Sequence, residues 1–198
     1  MMTFITSTDF VESARLLDKR RLWKQILEAK QLLQKLDLID ELSCLFKQPI
    51  PQSTKDKYTF IRTITKPLKK SKHVAIWSNI EHTTFTWLPR EKGVVYFDKI
   101  KIGYIYHPIV PLWIGYKDAL KYYIHVHNEE FISRGGKSPY KTTHSPETHI
   151  VMPPWISTLV PFHKCVLKTK APSEYLQWAD LPSLTNDDFP WNDLYMIK

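Results

Sequence analysis

The sequence predicts a mainly α domain of the α+β class, compact and carrying a small inserted antiparallel β element, in 198 residues. Three observations lead there. Two long stretches repeat apolar residues at three- and four-residue spacing, the period of a helix with one buried face. Between them, β-branched and aromatic runs alternate with Pro-punctuated basic segments, the pattern of short strands and loops. The length suits one compact core. Residues 1–198 are therefore expected to form a single domain, with 47–102 as an insertion within it.

The chain opens with "TFIT", a short strand or extended arm, followed by "STDFVESA". Ser7, Thr8 or Asp9 can cap a helix, and Glu12 suits a first turn. A helical pattern then runs to about Leu36 and at most to Leu45. Leu22, Ile26, Ala29, Leu33 and Leu36 fall within about 80° of one another, a core-facing stripe. Arg21, Lys24, Gln25 and Glu28 occupy an adjacent face about 100° wide by the same geometry. "KQPIPQSTKDKY" and "TKPLKKSKH" read as loops. "HVAIWSNI", "TTFTWLP" and "GVVYFDKIKIGYIY" read as strands.

"HPIVPLWIGYKDALKYYIHVHNEEFISRGG" predicts a second strong helix, with Pro111 at its start and Gly135-Gly136 at its end. Leu112, Tyr116, Ala119, Leu120, Tyr123, His127 and Phe131 mark its packed face. From Lys137 the chain is Pro-rich, with one short basic helix expected from roughly Leu159 to Lys170. No internal repeat or low-complexity segment is present.

The formal net charge is +8, aromatic residues make up 13% of the chain, and there are 14 Pro but only 5 Gly. Such a charge favours a polyanionic partner, most simply nucleic acid, although a basic protein need not bind one. Cys44 and Cys165 are too few for a disulfide scaffold. No run reaches the ~18 apolar residues of a membrane span, and "MMTFITSTDF" lacks signal-peptide features. An intracellular monomer is expected, in cytoplasm, nucleoid or nucleus, without membrane association.

Much conventional site chemistry is excluded. No Gly-rich phosphate loop is present. His125 and His127 lie two apart on a helix, so their rings point to different faces, and His163-x-Cys165 has no second pair to complete a tetrahedron. No metal or cofactor is expected. What remains is a basic aromatic protein with one carboxylate, Glu28, among Lys19, Arg20, Arg21, Lys24 and Lys30. Helix chemistry alone allows Glu28 two roles. It can form an i,i+4 pair with Lys24 worth only ~0.3–0.5 kcal/mol, or serve as a functional carboxylate on a phosphate-binding face. An enzyme acting on a base must unstack it and grip the flanking phosphates. Trp23, Trp113, Trp155, Tyr104 and Tyr106 are candidate wedges, or core.

"LDKRRLWKQILEA", "YHPIVPLWIGYKDALKYY" and "EFISRGGK" together resemble the pyrimidine-dimer DNA glycosylase (phage endonuclease V-like) family, and its bacterial branch in particular. The resemblance is carried in order by Thr3-Phe4, Leu17-Asp18, Arg21-Leu22, Lys24-Gln25, Glu28-Ala29, His107-Pro108, Trp113 and Gly115-Tyr116. Arg134-Gly135, Pro153-Pro154-Trp155 and Phe162-His163 continue it. It covers residues 1–45 and 103–178 and leaves 47–102 unmatched.

The resemblance implies a compact helical endonuclease V-like fold and a DNA repair glycosylase coupled to an abasic-site lyase. In that mechanism the chain's N-terminal amine attacks the sugar C1′ and a Glu on the first helix assists; Glu28 matches that Glu. An α-amine titrates near ~7.7–8.0, so much of it is nucleophilic at neutral pH. Here the chain begins Met1-Met2-Thr3, so the amine belongs to Thr3 if translation starts at Met2, or to Met1; otherwise the lyase chemistry is lost. Leu27 and Gln31 stand where the family would place arginines, with Arg21 and Lys24 available instead. The expected double-stranded DNA surface comprises Arg20, Arg21, Lys24, Gln25, His107, Trp113, Lys168 and Lys170. Two alternatives stay open: a non-catalytic nucleic-acid-binding protein of the same fold, and a glycosylase for a hypermodified base in phage or viral DNA.

Overall fold

A computed structural model describes residues 4–45, 47–70, 76–78, 85–87, 105–140, 150–190 and 194. Its described part is mainly helical: α1 (Phe10–Leu16), α2 (Lys19–Leu45), α3 (Thr54–Lys70), α4 (Ile109–Trp113), α5 (Lys117–Ser133) and α6 (Ile156–Lys170). Two 3-10 turns follow, Leu176–Trp178 and Asn186–Asp188. The 27-residue α2, about 40 Å long at 1.5 Å per residue, packs against α5, and α1 packs against α5 as well. Buried residues of all six helices join one hydrophobic core.

The first predicted helix is broken in two. Asp9 caps α1 by accepting from the Val11 and Glu12 amides at 2.8 and 3.4 Å. At Leu17 the backbone turns extended, with ψ of 141°. Asp18 then accepts from the Arg21 amide at 3.0 Å, as an N-cap of α2 does. Aspartate competes for amides three residues on, which ends one helix and starts the next. The carbonyls exposed by the break are covered from α5. Arg134 donates to the Leu17 carbonyl at 2.5 Å, to Arg15 at 2.8 Å and to Ala14 at 3.4 Å.

The second predicted helix is also two. Ile114 is extended and Gly115 takes φ of +91°, a left-handed conformation that glycine adopts without penalty. That break separates α4 from α5. The predicted end of α5 holds: Gly135 has φ of +72°, its amide donates to the Ile132 carbonyl at 2.8 Å, and the Gly136 amide donates to Phe131 at 2.9 Å. This double bond is a Schellman-type stop. The expected basic helix near the C-terminus is α6 and starts earlier, at Ile156.

The expected inserted sheet is not supported. Residues 54–58 and 65–70, read as loop, belong with 59–64 to one helix, α3. The Ser53 hydroxyl accepts from the Asp56 amide at 3.1 Å and donates to its carboxylate at 2.6 Å, a capping arrangement strong enough to start a helix. Phe60, Ile61 and Ile64 then bury against the core. Among the described residues only Ile76–Ser78 and Phe85–Trp87 pair, antiparallel and three residues each, too small a ladder to be stable by itself. The remaining residues of 71–104 lie outside the described part.

Candidate active site and nucleic-acid interface

Helical period places Arg20, Lys24, Glu28 and Arg21 on one side of α2. Glu28 is sunk into that side, with its side chain 14% exposed, while that of Lys24 is 67% exposed and places Nζ 3.7 Å from Glu28 Oε1. The carboxylate therefore lies under a cationic rim instead of standing in solvent. Its negative charge reaches the buried Tyr123. Burial first, and then Glu28, raise that hydroxyl well above the ordinary tyrosine range, so it stays a donor.

The start of the described chain is fastened beside this carboxylate. Phe4, Ile5 and Thr6 are buried. The Phe4 amide donates to Gln25 Oε1 at 2.6 Å, and Tyr123 Oη donates to the Phe4 carbonyl at 2.7 Å. The Ile5 amide donates to His163 Nδ1 at 2.9 Å, and the Thr6 amide to Ser13 Oγ at 2.9 Å. With Nδ1 accepting, His163 carries its proton on Nε2. Burial keeps its pKa down at about 3, so it remains the neutral acceptor this bond needs. Gln25 is three residues before Glu28, one turn of α2. The N-terminal segment thus passes over α2 one turn from the carboxylate.

Arg21 is held rigidly. It pairs with Asp18 at 2.6 Å and lies 5.4 Å from the centroid of the Tyr175 ring, whose hydroxyl donates to the same Asp18 carboxylate at 2.7 Å. Burial would raise the Asp18 pKa, but hydrogen bonds from Arg21 and Tyr175 outweigh it and hold it below the usual carboxylate range. Across the N-terminal segment, Lys170 closes the face from α6. Its Nζ lies 5.3 Å from the Phe4 ring centroid.

The predicted site residues separate into groups. Glu28, Arg21, Lys24 and Lys170 come together, and Arg20 is exposed on the same side of α2. Gln25 is fully buried and binds the N-terminal segment, so its amide is not presented to a polyanion. Trp113 is fully buried too, edge-on to Trp155 at 5.0 Å and Tyr123 at 6.3 Å. It packs the core and has no open face for a base. Lys168 turns away, donating to the Leu181 carbonyl at 2.9 Å. His107 sits half-buried at the start of α4, its Nδ1 accepting from the Ile109 amide at 3.3 Å, and burial lowers its pKa. Met1 and Thr3 lie outside the described residues, as does Tyr104.

Of the other candidate wedges, Trp155 is core and donates to the Leu112 carbonyl at 2.9 Å. Tyr106 shares a hydrogen bond with Thr65 at 2.7 Å. Trp23 is stacked between Phe131 and Tyr140, at 5.0 and 6.0 Å. Sequence reasoning missed Tyr123, His163, Asp18 and Tyr175 as organisers of the site. The one local signal was the Asp18-x-x-Arg21 spacing, which fits a cap and an ion pair at once.

Among the described residues no group of three or more His, Cys, Asp or Glu could hold a metal ion, and no helix is long and apolar enough to cross a membrane. A cavity of about 320 Å³ lined by Asp40, Lys57, Ile114 and Lys117 opens elsewhere. Asp40 is twelve residues beyond Glu28 on α2, about 18 Å along the helix, so the cavity is separate from this face. The face itself is cationic and carries two largely buried carboxylates, Asp18 committed to Arg21 and Tyr175, and Glu28 beside Lys24.

Such a face defines a protein suited to a polyanion whose chemistry needs a carboxylate. Residues 1–148 match the family model described as pyrimidine dimer DNA glycosylase, and the chain belongs to that family. The match runs through 47–102 as well as the flanking helices. DNA is the substrate class that membership implies. No curated protein and no solved structure matches the chain.

Proposed function

We propose that the protein excises damaged or modified pyrimidines from double-stranded DNA and cleaves the resulting abasic site, with Glu28 as the catalytic carboxylate. One observation carries the reading: Glu28 is sunk to 14% side-chain exposure on the cationic face of α2, beside the fastened N-terminal segment. A solvated i,i+4 partner of Lys24 would not be buried in this way. Arg20, Arg21, Lys24 and Lys170 bind phosphates on either side of the target nucleotide, with Arg21 fixed in advance by Asp18 and Tyr175. Preorganised cations lose little on binding.

In the mechanism the family resemblance implies, the chain's α-amine, of Thr3 or Met1, attacks C1′. The segment at residues 4–6 is anchored one turn from Glu28, which supports delivery of that amine. Glu28 stabilises positive charge building on the sugar as the base departs, then accepts a proton during elimination. The protein acts as a monomer inside the cell.

A duplex carrying one pyrimidine dimer, and the same duplex undamaged, separates this reading from its rivals. Base release or strand scission confined to the damaged duplex is the expected result. Tight binding of both duplexes with cleavage of neither would identify a non-catalytic DNA-binding protein. Activity on a duplex with modified pyrimidines but not on the dimer would place the substrate elsewhere.

A further inference from the structure

Two cations of α2 are each seated on a tyrosine, at opposite edges of its exposed side. Arg21 lies 5.4 Å from the Tyr175 ring centroid, and Lys30 Nζ lies 3.4 Å from that of Tyr140. Nine residues separate the two, or about 900° of helix, so they project in opposite directions. The half of α2 between them holds Arg20, Lys24, Glu28, Gln31 and Gln34, all exposed or half-buried. The other half holds Leu22, Gln25, Ile26, Ala29 and Leu36, all buried. Arg21 and Lys30 thus mark the two margins of the surface that α2 offers.

Tyr140 is itself fixed. Its ring stacks at 6.0 Å on Trp23, two turns before Lys30, and Trp23 stacks in turn on Phe131 at 5.0 Å. Asn128 donates to the Tyr140 carbonyl at 3.3 Å, and the Tyr140 amide donates to Ser138 Oγ at 3.2 Å. A ring face steadies an ammonium but gives it no lone-pair acceptor. Among the described residues no carboxylate forms a salt bridge with Lys30, whereas Lys24 faces Glu28 at 3.7 Å. Lys30 is a positioned cation whose charge no acid on this surface neutralises.

We propose that Lys30, held on Tyr140, binds a backbone phosphate of the complementary strand, while Arg21, held on Tyr175, binds the strand that carries the target base. The inference rests on the duplex-DNA reading above and extends it to the second strand. In helical projection Glu28 is about 20° from Arg21 and about 160° from Lys30. The reacting nucleotide must lie at Glu28, so its strand runs along the Arg21 margin. Nine residues rise about 13.5 Å and a helix with side chains is about 10–12 Å wide, which sets the two cations roughly 17 Å apart. Phosphates of one strand advance only about 3.4 Å per nucleotide along the duplex. The two backbones that border a major groove about 12 Å wide are separated by a distance of the larger order.

The test compares wild type, Lys30→Gln and Lys30→Arg on two probes, a duplex with one pyrimidine dimer and the dimer-bearing strand alone. Affinity is read by fluorescence anisotropy. Loss of one phosphate contact should weaken Lys30→Gln on the duplex by about fivefold at 0.15 M salt and reduce the magnitude of the salt slope by about 0.9. That contact is additional to those of Arg20, Arg21, Lys24 and Lys170. Affinity for the single strand should change by less than about twofold. Lys30→Arg keeps the charge and stacks on a ring, so it should bind the duplex as wild type does. Neutral methylphosphonates placed in the complementary strand opposite the dimer should erase the Lys30→Gln penalty, and those in the dimer strand should leave it. Unchanged duplex affinity, equal loss on both probes, no rescue by arginine, or erasure from the dimer strand overturns the inference. Base release from the same duplex by wild type reports separately on the glycosylase reading. A strand-specific penalty without release leaves the second-strand contact standing and removes the catalytic reading.

Discussion

Replacing Gln25 by Met tests whether the N-terminal segment is fastened to α2 by a single acceptor. Methionine nearly preserves the volume, so the main change is the loss of Oε1, which receives the Phe4 amide at 2.6 Å. Tyr123 Oη keeps its partner, because the Phe4 carbonyl at 2.7 Å is closer to it than Gln25 Oε1 at 3.3 Å. A buried amide left without an acceptor costs about 1–3 kcal/mol. Part of this is offset, because Gln25 Nε2 is itself buried without a partner and disappears in the variant. A net loss of about 1–2 kcal/mol follows, or a fall of about 0.5–1 M in the urea midpoint at a typical slope near 2 kcal/mol/M. The Phe4 amide should also lose hydrogen-exchange protection. Catalysis should drop with it, since the segment beside Glu28 is no longer fixed. A variant with the wild-type urea midpoint and wild-type protection at Phe4 would refute the reasoning.

Further outcomes follow from other groups. Arg134→Met removes the donor to the Leu17 and Arg15 carbonyls and should cost about 1–3 kcal/mol in urea unfolding. Arg134→Lys should recover only part, because one ammonium cannot reproduce the guanidinium fork. Burial holds His127 and His163 at about 3, against about 6.5 in the unfolded chain. Between those values the unfolded state binds more protons. Stability is therefore fully present above about pH 6.5 and lost as pH falls toward 3, by up to about 1.4 kcal/mol per unit for each histidine. Equal urea midpoints at pH 6.5 and 4.5 would contradict this. DNA affinity should fall with salt at a log–log slope near −3.6 if Arg20, Arg21, Lys24 and Lys170 each neutralise one phosphate. Lys24→Ala should then reduce the magnitude of that slope by about 0.9, read by fluorescence anisotropy.

The sequence made the helices legible where periodicity and capping agreed, and hid them where a single residue decided a break. Of the predicted α2 stripe, Leu22, Ile26, Ala29 and Leu36 are buried while Leu33 is only partly so, and Gly135 ends α5 where its position implied. The breaks at Leu17 and Ile114 turn on Asp18 and Gly115, and the carbonyls exposed at the first are covered by Arg134 from the far end of α5, a contact no local pattern reveals. Helix α3 was obscured by lysines and by Pro67, although Ser53-x-x-Asp56 carried its start.

At the site, Glu28, Arg21 and Lys24 were visible as one face of one helix. Gln25 and Trp113, offered for the DNA surface, are fully buried, because side-chain chemistry does not state which way a residue faces the core. The joining of residue 4 to 25 and 123, and of residue 5 to 163, spans up to 158 positions. Sequence spacing contains no trace of it.

The most direct test of the central claim is single-turnover base release from a dimer-containing duplex by wild type and Glu28→Gln, at DNA concentrations that saturate both. Glutamine keeps the size and removes the charge and the proton acceptor. The expected rate is lower by about 10²–10⁴-fold, with duplex affinity unchanged or slightly tighter because a negative charge has left the cationic face. Equal rates in the two proteins would reduce Glu28 to a surface partner of Lys24 and contradict the account.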